Sequence, residues 1–303
     1  MRIKDIGEIE LIKRLAKNFR LDGSVVKGSG DDTAVLKWTK DKYLLFTCDM
    51  ALEGVHFDLK KVTPFQAGWK ALGRNISDIA AMGGSPKYAV VSLAIDPGHN
   101  VSVVEGICKG LKSIADRFGV NIVGGDMAES KKIMIDVSLI GQVKKKCLVL
   151  RGGAKKGDLI LVTGSFGGSI KGKHANFTPR VKESQGIVNN FKINSMIDVS
   201  DGLALDLYRV IRASGAGATL YEESIPLSKD AGSVRDALYD GEDYELLFTA
   251  GPREAERLLK SNFSRLRTRI SLIGEITDKK YGYKLFREDG KEVELKIKGY
   301  THF

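Results

Sequence analysis

The sequence predicts an α/β fold in two domains, and three observations carry that expectation. The chain has 303 residues, about twice the ~150 residues of a common domain. Apolar runs of strand length alternate with stretches of helical periodicity. A basic, glycine-rich passage after Val143, KKKCLVLRGGAKKGD, parts an earlier set of elements from a later one. The expected division is residues 1–143 and residues 144–303.

In chain order, helical periodicity opens over Glu8–Phe19, and YLLFTCD reads as a strand over Tyr43–Cys48 that ends on an acid. A helix follows over Pro64–Met82, then a strand over Tyr88–Ile95. VSVVEGICKGLKSIADRFG is an amphipathic helix, and VNIVGG and IMIDVSLIGQV are strands. The second half starts with a strand over Leu159–Gly164, and INSMIDVSDGLALDLYRVIRAS is a strand, a turn and a helix. YELLFTA, ISLIGEI and VELKIKG are expected to close the fold as strands.

Lys and Arg number 48 against 38 Asp and Glu, giving a formal charge of +10. The charges are interspersed, which fits a solvated surface, an anionic small substrate or nucleic acid. Nucleic-acid binding is disfavoured because the aromatic residues sit inside apolar runs rather than between basic ones. No run approaches the ~20 apolar residues of a membrane span, and the N-terminus alternates charged with apolar residues. A cytoplasmic protein without membrane or nucleic-acid partners is therefore expected. Cys48, Cys108 and Cys147 lack metal or disulfide spacing and are expected to be buried small hydrophobes.

The acids carry the functional signal. Asp31 and Asp32 in GSGDDTAVL, Asp49 in FTCDMALEGVHF, Asp78 in GRNISDIAAMGG, Asp126 in VGGDMAES, and Asp198 with Asp201 in MIDVSDGLALDL all stand beside glycine or at strand ends. Backbone approaches a ligand closely at such places, and carboxylates there can hold a hard cation. Repeated use of this placement in a basic chain points to magnesium with a nucleotide triphosphate or another polyphosphate. GGSIKGKH, Gly167–His174, has the spacing of a phosphate-binding P-loop, but His174 replaces the magnesium-binding hydroxyl. It is read as an accidental near miss.

GSGDDTAVL, CDMALEGVHF, GWKALGRNISDIAAMGGSP, GGDMAES, RGGAKKGD, MIDVSDGL, DGEDYELLFT and GYTHF resemble, in order and spacing, the motifs of the thiamine-monophosphate kinase family. The resemblance runs from the first quarter of the chain to its last residues. It implies transfer of the ATP γ-phosphoryl group to thiamine monophosphate. It also implies the two-domain fold of aminoimidazole ribonucleotide synthetase, with the N-terminal sheets of two subunits pairing into a barrel in a homodimer. Carried over by motif, Asp32, Thr47, Cys48 (through its carbonyl), Asp49, Asp78, Asp126 and Asp198 would surround the magnesium ions, and Asp201 would hold a further one. Gly125, Asp126, Arg151 and Ser200 would contact ATP, while His56, Glu242 and Tyr300 would face thiamine monophosphate. Met127 replaces a common threonine, and Asp240 a common glycine. EGVHF and GEDYELLF favour this family over the ribonucleotide synthetase. The chain also lacks the early cysteine expected of selenophosphate synthetase and the C-terminal cysteine of the hydrogenase maturation factor.

Overall fold

A computed structural model of the chain describes residues 2–261 and 268–301. The first half comprises α1 (Ile3–Ile6), α2 (Glu8–Ala16), β1 (Val25–Lys27), β2 (Ala34–Lys37), β3 (Lys42–Leu52), α3 (Pro64–Ala81), β4 (Ser85–Ile95), α4 (Val101–Phe118), β5 (Asn121–Glu129) and β6 (Met134–Lys144). Its strands form one sheet in the order β1-β2-β3-β6-β4-β5. β4 and β5 run parallel, as a crossover through α4 requires, whereas β6 is antiparallel to both β3 and β4. The β3-α3-β4 unit is a second crossover whose strands are parted by β6.

The second half comprises β7 (Leu159–Thr163), α5 (Val181–Asn190), β8 (Ser195–Val199), α6 (Leu203–Ser214), β9 (Gly217–Tyr221), α7 (Val234–Tyr239), β10 (Glu245–Ala250), α8 (Pro252–Lys260), β11 (Ile270–Thr277), β12 (Tyr283–Phe286) and β13 (Glu292–Glu294). Its sheet has the order β13-β12-β9-β11-β7-β10-β8, and among the described residues only the β9/β12 pair is parallel. The expected mixed α/β architecture is present. VELKIKG is extended only as far as Glu294, because Leu295 turns into the core and donates its N–H to the Tyr283 carbonyl. Short or strongly charged elements such as β1, α7 and α8 left too little apolar periodicity to be read beforehand.

α3 lies at the centre. Thr63 accepts from the Gln66 N–H and Gln66 caps the Thr63 N–H in return, so the helix starts firmly at Pro64. One apolar core joins Leu45, Ile76 and Ile135 to Leu161, Met196 and Phe248 of the second sheet. Alternation along β7 sends Ile160 and Val162 to the opposite face, where a second core lies under α6. α3 meets α4 through glycines: a Cβ on Gly68 would lie 2.0 Å from the Ile107 carbonyl oxygen, and one on Gly110 1.9 Å from that of Phe65. Gly110→Val should therefore push the two helices apart and cost about 3 kcal/mol, read as a lower urea midpoint.

Of the cysteines, Cys147 is buried as expected, but Cys48 and Cys108 are exposed. The reason for Cys48 is strand alternation: Thr47 and Asp49 point inward, so Cys48 points outward, where its Sγ lies 3.5 Å from Asp136. The same outer face of the first sheet carries Phe46, Ile140 and Tyr88 side by side in register, with Met50 and Val90 nearby. Four of these five, Phe46, Tyr88, Met50 and Val90, are exposed.

Candidate active site

Asp32 enters from the loop before β2, Asp78 from the last turn of α3, and Asp198 from the end of β8. One carboxylate oxygen from each comes within 4.8 Å of the others, a group that could hold a metal ion. Each carboxylate is held in place. The Thr47 hydroxyl donates to Asp78 at 2.6 Å, that of Ser77 to Asp198 at 2.5 Å, and the Arg151 guanidinium to Asp32 Oδ1 at 2.6 Å. Among the described residues, Asp32 Oδ2 is buried with no hydrogen-bond partner. Burial, and then the charges of Asp49 and of Asp32 respectively, push the Asp78 and Asp198 carboxyls well above the ordinary range. Hard oxygen donors, an orphaned carboxylate oxygen and three carboxylates against the single guanidinium of Arg151 together suit a divalent cation.

Asp31, the neighbour of Asp32, accepts from the Arg151 backbone N–H at 3.0 Å and lies 3.7 Å from the Lys27 ammonium. Burial and the Asp32 charge push its carboxyl up to about 6. The Asp pair thus fixes both the backbone and the side chain of Arg151, which explains why the two acids are adjacent.

A second polar group lies beside the first. Lys70, on α3, is 1% exposed and donates to the His56 carbonyl at 2.6 Å. It also contacts His174 Nδ1 at 3.0 Å and pairs with Glu242. An ammonium only donates, so Nδ1 of His174 accepts. Glu242 and Tyr244 adopt φ values of 61° and 51°, uncommon for side-chain-bearing residues. The Glu242 N–H bonds to Ser200 O at 2.7 Å, and Tyr244 stacks on Phe177 with centroids 3.8 Å apart. The near-miss P-loop is thus a structural turn that delivers His174 to Lys70.

Burial, and then Lys70, hold the His174 imidazole down at about 4 from an ordinary 6.5. The folded chain therefore keeps His174 neutral where the unfolded chain protonates it. Stability should fall between pH 6.5 and pH 4, by up to about 1.4 kcal/mol per pH unit for this one proton. His174→Gln should flatten that part of the stability curve, as denaturant titrations across the range would show.

The other expected site residues have varied positions. Asp49 lies 3.6 Å from Arg74, beside the three-carboxylate cluster. His56 is half-buried, with Nδ1 accepting from the Leu52 N–H at 3.1 Å. Cys48 turns its side chain to the outer face. Gly125 and Asp126 stand on β5, whose residues are all exposed. At Gly125 a Cβ would lie 1.8 Å from the Val91 carbonyl oxygen, so close strand pairing requires this glycine. Asp126 is outside the three-carboxylate group, and so is Asp201, which pairs with Arg209 at 2.6 Å. Asp206, unnoticed in the sequence, is buried and accepts from the Ser200 and Asp201 N–H groups at 3.0 and 2.9 Å. Tyr300 is 42% exposed and its N–H bonds to Asp201 O at 2.9 Å. The last two residues of GYTHF lie outside the described residues.

Residues 30–143 match the model for "AIR synthase related protein, N-terminal domain", and residues 155–284 match that for the C-terminal domain. A thiamine-monophosphate kinase of Buchnera aphidicola from Acyrthosiphon pisum is 34% identical, over 98% of each chain. The chain belongs to the thiamine-monophosphate kinase family. A Bacillus subtilis thiamine-monophosphate kinase is 32% identical over 98% of this chain and 100% of its own. A solved structure described as "AaThiL complexed with AMPPCP and TMP" is 31% identical, covers 100% of this chain and 99% of its own, and superposes with a TM-score of 0.84.

Within this thiamine-monophosphate kinase family member, Asp240 has φ −70° and ψ −36°, so no glycine is needed there. Met127 is 64% exposed on β5. Sequence motifs reached the acids of the site but missed the groups that hold them: Ser77, Lys70, His174, Asp206 and Arg209. Lys70 and Ser77 stand in the same α3 motif as Asp78. A polar residue among apolar helix positions was the one signal that could have found them.

Proposed function

We infer that this chain transfers the γ-phosphoryl group of ATP directly to thiamine monophosphate, giving thiamine diphosphate and ADP. The observation that carries the reading is the juxtaposition of a buried three-carboxylate cluster with the Lys70, His56 and Glu242 group in a member of this family. An oxygen of the acceptor phosphate attacks the γ-phosphorus, the bond to the β–γ bridging oxygen breaks, and that oxygen leaves on ADP. The acceptor phosphate, with a second pKa of about 6, is already largely ionised at neutral pH, so no strong base is required. The site's task is positioning and charge neutralisation.

Asp32, Asp78 and Asp198 would hold magnesium, with Thr47, Cys48 O, Asp49, Asp126 and Asp201 completing the shells once substrates are in place. Magnesium bound there supplies Lewis-acid neutralisation of phosphate oxygens. Gly125, Asp126, Arg151 and Ser200 take ATP, and His56, Glu242 and Tyr300 take the acceptor. Two domains, 1–143 and 144–303, would bring these groups together. The exposed apolar face around Phe46, Tyr88 and Val90 supports a homodimer formed through the first sheet. Among the described residues no helix is long and apolar enough to cross a membrane, which agrees with a cytoplasmic enzyme.

The test is a coupled assay with ATP and magnesium, offering thiamine monophosphate, thiamine and formylglycinamidine ribonucleotide separately. Thiamine diphosphate from the monophosphate alone is the expected result. Turnover of the ribonucleotide, or none of the three, would overturn the reading.

A further inference from the structure

We propose that Arg74 is the cation that receives the phosphate of the acceptor and sets the preference for a phosphorylated substrate. The assignment rests on the functional reading above and adds to it a residue that none of the family motifs invoked above assigns to a substrate. Lys70, Arg74 and Asp78 follow one another at intervals of four residues on α3, so they form one stripe along the helix. Lys70 meets Glu242, His174 and the His56 carbonyl at one end, and Asp78 joins the carboxylate cluster at the other. Arg74 stands between them, about 6 Å along the helix axis from each. A molecule whose ring end rests near Glu242 and whose phosphate must reach the metal-binding cluster has to pass this guanidinium.

The side chain is built for such a role. It is 15% exposed, and Nη1 donates to the Met50 carbonyl oxygen at 2.9 Å, which fixes the plane of the fork. Nη2 lies 3.6 Å from Asp49 Oδ1, beyond hydrogen-bond distance. The described contacts therefore leave most of its five N–H donors without a close acceptor. Burial works against its charge, but the nearby acids Asp49, Glu242 and Asp78 outweigh that and hold the guanidinium above even its ordinary range, so it stays protonated. A planar, permanently charged fork suits bidentate contact with phosphate better than a lysine would. It also offsets part of the repulsion between an incoming anion and the acids around it. An arginine present only to compensate Asp49 and Asp78 would stabilise the fold without distinguishing thiamine monophosphate from thiamine.

Calorimetric titration of the full chain, with magnesium and a non-hydrolysable ATP analogue present, separates these roles. Thiamine monophosphate and thiamine would each be titrated into wild type, Arg74→Met and Arg74→Lys. In Arg74→Met the affinity for the monophosphate should fall about tenfold or more, with thiamine affinity unchanged and Arg74→Lys intermediate. An unchanged ratio of the two affinities in both variants would overturn the assignment. Should Arg74→Met fail to fold, Arg74→Lys keeps the charge and decides the matter kinetically. Its kcat/KM for thiamine monophosphate should fall about tenfold at constant KM for ATP, and wild-type kinetics would refute the role. Wild type that neither prefers nor phosphorylates the monophosphate would sink the functional reading, and this assignment with it.

Discussion

Asp78→Asn is expected to lower turnover by about three orders of magnitude or more, while raising the melting temperature of the metal-free chain. The two effects share one cause. The Asp78 carboxyl is buried beside Asp49, Asp198 and Asp32, and its ionised form is disfavoured in the folded chain. An acid whose folded pKa lies above its unfolded value weakens the fold at neutral pH, and the penalty is relieved as pH falls. Asparagine removes the charge, and with it the penalty, yet its carbonyl can still accept from Thr47. Magnesium at a hundred times its dissociation constant should stabilise wild type by about 2.7 kcal/mol, and Asp78→Asn should lose most of that increment. Thermal melts with and without magnesium, beside steady-state rates, check both halves. Wild-type turnover from the folded variant would remove Asp78 from the cluster's chemistry.

Lys70→Met should cost about 3–5 kcal/mol and raise KM for the acceptor. The ammonium it deletes is the counter-ion of Glu242 and the donor to the His56 carbonyl, both beside the acceptor's expected position. Burial makes that ammonium expensive to keep charged, and its pKa is lowered accordingly, so the large loss comes from abandoning its partners rather than from the pair's own strength. Glu242→Gln on top of Lys70→Met should recover part of the stability, because the neutral carboxamide no longer needs a counter-ion. Urea titrations of the two single variants and the double variant close the cycle. Strict additivity would mean that the pair is not coupled.

Much of this was legible along the chain. Periodicity located α3 and α4 to within a residue at each end, because an amphipathic helix writes its buried face into its own spacing. β3 and β4 were visible as apolar cores but too short by several residues at one end or both, since nothing local says where sheet pairing stops. β6 read like any other strand, and only its pairing shows that it is wedged between β3 and β4. The last three-residue strand, β13, illustrates the converse: VELKIKG has the residues of a strand, but a single inward Leu295 ends it.

By itself the sequence determined the fold class, the order of its main elements, the family and the acids beside glycine that belong to the site. These are properties of residue type and short spacing, and short spacing is preserved whatever the rest of the chain does. Tertiary structure alone decided which acids meet. Asp32, Asp78 and Asp198 converge across more than half of the chain, while Asp126 lies on an exposed edge strand and Asp201 turns to Arg209. It also decided that His174 serves Lys70 and that Arg74 stands between the two halves of the site. Charge interactions and desolvation depend on distance through space and on burial, and neither is set by the number of residues between two side chains.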